Sequence, residues 1–297
     1  MSWIRTRWVP IAMLSPSILA IAIFVYGFIA WSARVSVSDW QGLRPDYTFV
    51  GLDNFAQLLR DRRFTDFDVP NTIIFTTFFV VGAIALGLLL AILLDRRVPG
   101  EGIFRGIFLF PLAISLIVTG VAWRWLMNPS AGERVSGLNL LFDTFGLDAL
   151  INAWYTSERP WGIAYVALPA VWQMSGFTMA LFLGGLRAIP DELKEAARVD
   201  GASELQVYRR IILPLLRPAL LSALIILGHL SLKVFDLIVA LTGRNLELDV
   251  PAIYMWTTTF DAQNFARGAA IGILLLLSVA VLVVPYLIWS LRREIEL

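Results

Sequence analysis

Apolar residues in this chain gather into long runs separated by charged stretches, instead of recurring singly at the intervals of a soluble amphipathic fold. The runs cover about 10–31, 71–94, 103–127, 162–186, 211–241 and 268–291. Each is long enough to cross a hydrocarbon core, which takes roughly 20 helical residues. Backbone N–H and C=O groups in that core must be paired within their own segment, so each run is read as a helix. The pattern predicts an all-α integral membrane protein with six transmembrane helices, forming a single transmembrane domain over 1–297. Six crossings place both termini on one side.

The polar stretches refine this picture. Arg5 and Arg7 precede the first run in the manner of a signal peptide, but the run exceeds the usual apolar region of one and no small-x-small cleavage site follows. It is expected to remain as the first membrane helix. Between the first two runs, Ser32 to Pro70 mixes Asp39, Asp46, Asp53, Asp61, Asp66 and Asp68 with arginines. Inside it, Gly51 to Leu59 predicts a short surface helix with Leu52, Phe55, Leu58 and Leu59 on one face. Asn128 to Trp161 and Thr242 to Arg267, rich in Trp, Asn, Asp and Gly, read as solvated connectors over most of their length.

Basic residues then choose the orientation. Arg5, Arg7, Arg96, Arg97, Arg105, Arg187, Lys194, Arg198, Arg209, Arg210, Arg217, Arg292 and Arg293 fall on one side. Arg34, Arg44, Arg60, Arg62, Arg63, Arg134, Arg159, Arg244 and Arg267 fall on the other, mostly in longer, Asp-containing loops that weigh little in the positive-inside rule. Both termini are therefore expected in the cytoplasm.

Composition narrows the chemistry. The chain is 58% hydrophobic and 16% charged, with a mean hydropathy of +0.73, well outside the range of soluble domains. A net charge of +1 gives no general attraction for nucleic acid. There is no cysteine and one histidine, which excludes disulfides, thiolate catalysis and a histidine metal cluster within this chain. No Gly-x4-Gly-Lys-Ser/Thr run occurs, so whatever energy the protein uses is not drawn from a P-loop of its own. No cofactor, metal or catalytic residue is expected.

One charged interruption, Asp191 to Pro214 within a loop over 190–214, stands out between the fourth and fifth runs. Pro190 suits a first helical position, Asp191 and Glu192 a first turn, and Lys194 and Arg198 the later turns, so a short helix should reach about Val199. Asp200 and Gly201 then end it. Ser203 with Gln206 offers a capping box for a second helix, which Pro214 and Pro218 kink or interrupt as the fifth run begins. Ala196, Ala197 and Ala202 leave the surface flat enough for another backbone to approach closely. A charged loop between two spans is by itself ordinary.

The spelling is less ordinary. Glu195-Ala196-Ala197, three residues, Gly201, nine residues, then Ile211-x-Leu213-Pro214 resembles the EAA loop of binding-protein-dependent ABC importer permeases at every fixed position. The resemblance covers essentially the whole chain. Phe49-Val50-Gly51-Leu52-Asp53-Asn54-Phe55 is similar to the first of the two permease subunits in carbohydrate importers. Phe108 to Pro111, Trp123 to Leu126, Ala170 to Phe177 and Leu232 to Asp236 are similar to permeases of the glucose/mannose and α-glucoside branch. The resemblance implies the type I permease fold in a bacterial or archaeal plasma (inner) membrane. It also implies a second homologous permease, a cytoplasmic ATPase dimer and an extracytoplasmic sugar-binding protein that docks on the outer loops. Glu195, Ala196, Ala197, Asp200, Gly201, Ile211, Leu213 and Pro214 would form the coupling segment seated in the ATPase.

Inside the membrane, ionisable groups are costly and so informative. His229, Lys233 and Asp236 fall at i, i+4 and i+7 of the fifth run and share one helical face, with Lys233 and Asp236 close enough to pair. That face either lines a translocation path or holds a packing ion pair. Trp172, Gln173 and Ser175 interrupt the fourth run with the aromatic and hydrogen-bonding character of a sugar site, although a tryptophan there serves equally as an anchor. Arg124 is expected to snorkel to the interface. The competing function is a self-sufficient facilitator or proton-coupled carrier built on Lys233 and Asp236. An intramembrane enzyme has no matching constellation.

Overall fold

The computed structural model describes residues 2–96, 99–130 and 134–295, and Arg97, placed above among the cytoplasmic arginines, lies outside them. The described residues form helices joined by turns, with isolated bridges Ser38–Phe49 and Gln41–Asn264 and no strand. By length and apolarity, four unbroken segments among them are able to cross a membrane: Met13–Ser36, Arg63–Asp95, Trp161–Arg187 and Phe265–Ile288. Two further segments are bent pairs, Glu101–Ala113 with Leu116–Leu126 at 100° and Glu204–Leu215 with Arg217–Leu232 at 62°. Six spans are reached only when each pair counts as one; the bend in the second pair falls between Pro214 and Pro218, where a kink is expected, whereas the break inside 103–127 departs from the single uninterrupted run expected there.

The contacts divide the chain into two compact units, one of Met1–Phe64 with Pro251–Leu277 and one of Thr65–Val250 with Ser278–Leu297. In the first, α1 (Ser2–Ile21) continues through a π-helical turn into α2 (Phe28–Ser36). Leu14, Ile18, Phe24 and Phe28 along it face outward, as a lipid-contacting helix requires. The short helix expected after Gly51 is α3 (Asp53–Arg60), but its buried face is Asn54 and Leu58, while Leu52 and Leu59 are exposed. Asn54 explains the rotation: its Nδ2 donates to the carbonyls of Ser36 at 3.0 Å and Ser38 at 2.8 Å, satisfying the end of α2. Leu58 and Phe64 pack with Tyr254, from α14 (Pro251–Trp256), and Ile271.

A charged cluster reinforces that core. Asp61 accepts from the Tyr254 hydroxyl at 2.7 Å and pairs with Arg267, and the Arg63 guanidinium lies 4.3 Å from the centre of the Tyr254 ring. Burial and then the Asp61 bond push the Tyr254 phenol up to about 12. Partial burial works to raise the Asp61 carboxyl, but bonds from Tyr254, the Arg63 amide and Arg267, with the Arg267 charge, hold it below its usual value.

In the second unit, α4 (Val69–Asp95) and α8 (Trp161–Arg187) run side by side in the same direction. Glycine sets how closely they approach. A Cβ on Gly82 would lie 2.8 Å from Val171 Cγ2, and one on Gly87 would lie 1.9 Å from Thr178 Oγ1. Thr178 uses the proximity to donate to the Ala83 carbonyl at 2.7 Å. Between them in sequence, α5 (Glu101–Leu109) tightens through a 3-10 turn at Phe110–Ala113, the chain extends at Ile114, and Ser115 caps α6 (Leu116–Leu126). Gly176 opposes this break, since a Cβ there would sit 2.0 Å from the Phe108 carbonyl oxygen.

Candidate functional site

The charged loop folds largely as its spelling dictates. α9 runs Asp191–Val199 with Asp191 and Glu192 in its first turn. Pro190 is the cap residue, with ψ at 134°, and so stands one position before its expected place. At the other end, Ala202 N–H donates to the Ala197 carbonyl at 2.9 Å and Gly201 N–H to the Arg198 carbonyl at 3.0 Å, the paired bonds of a Schellman ending. Gly201 holds φ at +80°, a backbone that side chains with a Cβ rarely adopt. Ser203 and Gln206 then form a full capping box at the start of α10 (Glu204–Val207). Arg198 bridges the turn to Glu204 at 2.7 and 3.3 Å, and this bond raises the guanidinium pKa further.

The loop has two unlike faces. Toward the bundle, Ile189, Val207, Ile212 and Leu216 are buried against Leu94, Leu183 and Leu186 at the ends of α4 and α8, and Ala197, Ala202 and Tyr208 lean on the same cluster. Away from the bundle, Glu195, Ala196, Asp200, Gly201 and Leu213 are exposed, with Ile211 and Pro214 half-buried. The sequence reading missed the apolar residues on this outer face: Val199 is 88% exposed and Leu205 76% exposed. Their signal was available, as apolar residues standing alone in a charged stretch. The anchors Val207 and Ile212 escaped because a π-helical turn over Tyr208–Ile212 shifts the helical spacing.

Beside the loop lies a charged cavity of about 660 Å³ lined by Asp95, Arg96, Glu101, Arg187, Asp191 and Lys194. Glu101 pairs with Arg187 at 2.7 Å and Lys194 with Asp191 at 3.0 Å. These pairs join the α4–α5 turn to the end of α8 and steady the start of α9.

A second cavity, about 320 Å³, lies at membrane depth and brings together Gln173, Lys233 and Asp236 with Phe75, Phe79 and Phe235. The proposed helical face of His229, Lys233 and Asp236 does not exist. Past the short α11 (Leu213–Leu215), α12 (Arg217–Leu232) ends before Lys233, α13 (Asp236–Thr242) starts at Asp236, and among the described residues no ion pair joins the two side chains. The break has an electrostatic reason: Lys233 caps a helix C-terminus and Asp236 opens an N-terminus, each sign opposing the local dipole. Irregular backbone at this depth is tolerated where it is buried in protein or lines a cavity, and here Lys233 to Asp236 line one. His229 is half-buried and stands outside the lining.

Gln173 is buried in α8, and its Nε2 donates to the Ile114 carbonyl at 2.6 Å, satisfying the break between α5 and α6. Its Oε1 is buried without a partner among the described residues. Ser175 is spent within its own helix, donating to the Trp172 carbonyl at 2.8 Å, and Trp172 packs on Trp123 with ring centres 5.9 Å apart. Thr76 and Ser231, 2.9 Å apart, were missed because single hydroxyls in apolar runs carry no pattern.

A family model described as binding-protein-dependent transport system inner membrane component matches residues 83–293, which include the loop, the charged cavity and all of the membrane-depth lining except Phe75 and Phe79. A "Probable ABC transporter permease protein" of Pyrococcus horikoshii is 43% identical over 286 residues, 96% of each chain. The xylose/arabinose import permease protein XacH of Haloferax volcanii is 34% identical over 276 residues, 92% of this chain and 84% of that one. Among solved structures, a chain of a bacterial alginate ABC transporter in complex with its alginate pentasaccharide-bound periplasmic protein superposes with a TM-score of 0.78. It is 23% identical, with 95% of this chain and 94% of that chain covered.

Proposed function

The chain belongs to the family of binding-protein-dependent transport system inner membrane components, and from that premise we propose that it is one permease of an ATP-driven carbohydrate importer. As a non-catalytic membrane subunit it would form half of the translocation path, the whole chain acting as one permease domain. A second homologous permease would complete the path, two ATPase subunits would bind beneath, and a soluble sugar-binding protein would deliver cargo to the outer loops. The basic-residue bias supports a plasma (inner) membrane orientation with both termini cytoplasmic. The sugar class is suggested by the relatives named above.

The observation that carries the reading is the two-faced loop. Its inner face is packed against the ends of α4 and α8, while Glu195, Ala196, Val199 and Leu205 are exposed on the opposite face. A push on that surface is passed to α4 and α8 because the loop cannot slide on them without opening the Val207 and Ile212 core. Nucleotide-driven closure of the ATPases would then move the bundle between outward-open and inward-open states. Gln173, Lys233 and Asp236, at the membrane-depth cavity, are the residues proposed to meet the sugar, with Trp172, Ser175 and His229 in supporting positions.

Replacement Glu195→Lys tests the assignment. The variant is expected to insert normally and to lose ATP-driven sugar uptake in proteoliposomes containing the partner subunits. Normal uptake with the ATPase still attached would overturn the coupling role, and ATP-independent uptake by this chain alone would instead identify a carrier built on Lys233 and Asp236.

A further inference from the structure

The connector between α6 and α8 is folded inside out. α7 (Gly137–Thr144) and the turns after it bury Asn139, which is 1% exposed, while Leu140, Leu141, Phe145, Leu147, Leu150 and Ile151 all point outward. Asparagines supply the interior. Asn139 Nδ2 donates to the carbonyls of Asn128 at 3.2 Å and Asn152 at 2.9 Å, and its Oδ1 accepts from the Asn152 amide and the Trp154 indole. Asn152 Nδ2 in turn donates to the Tyr165 hydroxyl at 2.6 Å. Even the Thr144 hydroxyl is turned back, donating to the Leu140 carbonyl at 2.7 Å. With its polar groups satisfied internally and its large apolar groups outside, this element has the polarity of a surface made for an apolar medium.

Its position says which medium. Tyr165 lies in the second turn of α8, an unbroken apolar helix, so the segment is bonded at that helix's Trp161 end. Gly137 lies directly on the end of α6, since a Cβ there would meet the Leu126 carbonyl oxygen at 2.2 Å and the Trp125 oxygen at 2.5 Å. The exposed apolar surface of α6, through Val118, Val121 and Trp125, leads to the same point. We infer that residues 137–151 form a monotopic anchor whose exposed side chains rest in bilayer lipid, at the boundary of headgroups and acyl chains. Asp143 and Asp148, both exposed, lie on the water side of that boundary. Such elements settle about 5–10 Å into the interface. The segment then fixes the level of α8 in the membrane, whatever the cargo of the transporter.

The absence of native cysteine makes the test direct. Leu141→Cys, Phe145→Cys, Leu147→Cys and Asp148→Cys, each in the full chain, are spin-labelled in nanodiscs of phosphatidylcholine and phosphatidylglycerol, and variants that elute as a single peak with the parent are compared. Collision with oxygen is expected to dominate at 141, 145 and 147, and collision with a water-soluble nickel chelate at 148. Chelate access at all four sites would overturn the inference by showing a wet platform. So would labels at 141, 145 and 147 that become shielded only when a soluble binding protein is added, because the face would then be a protein-docking surface.

Discussion

Gly201 offers the sharpest separation of backbone from side-chain effects in the loop proposed to couple to the ATPase. Its φ of +80° lies in the left-handed region, and a Cβ built there meets nothing within 4 Å. Substitution therefore collides with no neighbour, and the whole cost is conformational. For a residue with a Cβ that cost is roughly 1–2 kcal/mol, which corresponds to about a 5- to 30-fold shift in the equilibrium of the turn. Asparagine tolerates this backbone far better than alanine, and a β-branched residue tolerates it worse. If the turn opens, the Schellman bonds from Gly201 and Ala202 are lost, and α9 no longer presents Glu195 and Ala196 at a fixed angle to α10. The series Gly201→Asn, Gly201→Ala, Gly201→Val should thus weaken binding of the ATPase subunits in that order. Alanine is expected to lower the apparent affinity by about 5- to 30-fold, asparagine by much less, with sugar uptake following. Binding of the purified ATPase to permease in nanodiscs measures the first effect and proteoliposome uptake the second. Equal binding across the series would refute the conformational argument. Asparagine behaving as badly as valine would refute it differently, by showing that the partner occupies the space a side chain would take.

Two further outcomes follow from the packing and the charges. Because the Asp61 carboxyl is depressed in the folded chain, the stability it confers is complete above the unfolded value of about 3.9 and is lost as pH falls through the lower folded value. The thermal midpoint of the parent should therefore drop on acidification below about pH 4, and Asp61→Asn should flatten that limb; an unchanged pH profile would deny Asp61 this role. In the second unit, Gly87→Ala places a methyl 1.9 Å from Thr178 Oγ1 and 2.8 Å from the Met179 amide nitrogen. It should destabilise the α4–α8 pair by about 1–3 kcal/mol, read as a lower unfolding midpoint in detergent. Gly102→Ala, with open space at its Cβ, is the control and should leave the midpoint unchanged or slightly raised.

What the sequence spelled out was local. The end of α9 at Gly201, the capping box of Ser203 with Gln206 and the bend between Pro214 and Pro218 each depend on residues within a few positions of one another. The break at Ile114 depends on groups remote in sequence, and hydropathy reads straight through it as it does through the break at Lys233. Ile114 is satisfied by Gln173, 59 residues away, and the chain there passes against Gly176. The same distance problem hid the Asn139 hub, whose partners lie at 128, 152 and 154, so a polar composition was read as a solvated connector. For α3, periodicity found the helix but not its face, because Asn54 is buried for its bonds to the end of α2 while Leu52 and Leu59 remain outside.

The loop and the membrane-depth cavity are linked by α8 itself. From Arg187 back to Gln173 is 14 residues, about 21 Å of helix at 1.5 Å per residue, and along that length close glycine contacts fasten α8 to α4 and to the α5 turn. Close-packed helices move as a body and do not deform continuously. A displacement imposed at α9 must then be absorbed where the helical bonds are already interrupted, at Ile114–Ser115, at Leu216–Arg217 and over Lys233–Phe235. Two of those breaks border the cavity. Gln173 lies on the rigid side and Ile114 at the break, joined by a single 2.6 Å bond, and the second Gln173 polar atom has no partner among the described residues. In the proposed importer, movement of α8 that parts this bond would expose an amide and a carbonyl together inside the cavity. Sugar hydroxyls, which both donate and accept, are suited to pair with such groups. The hinge and the proposed sugar contact would then be the same few atoms, and binding of cargo and motion of the loop would each alter the other.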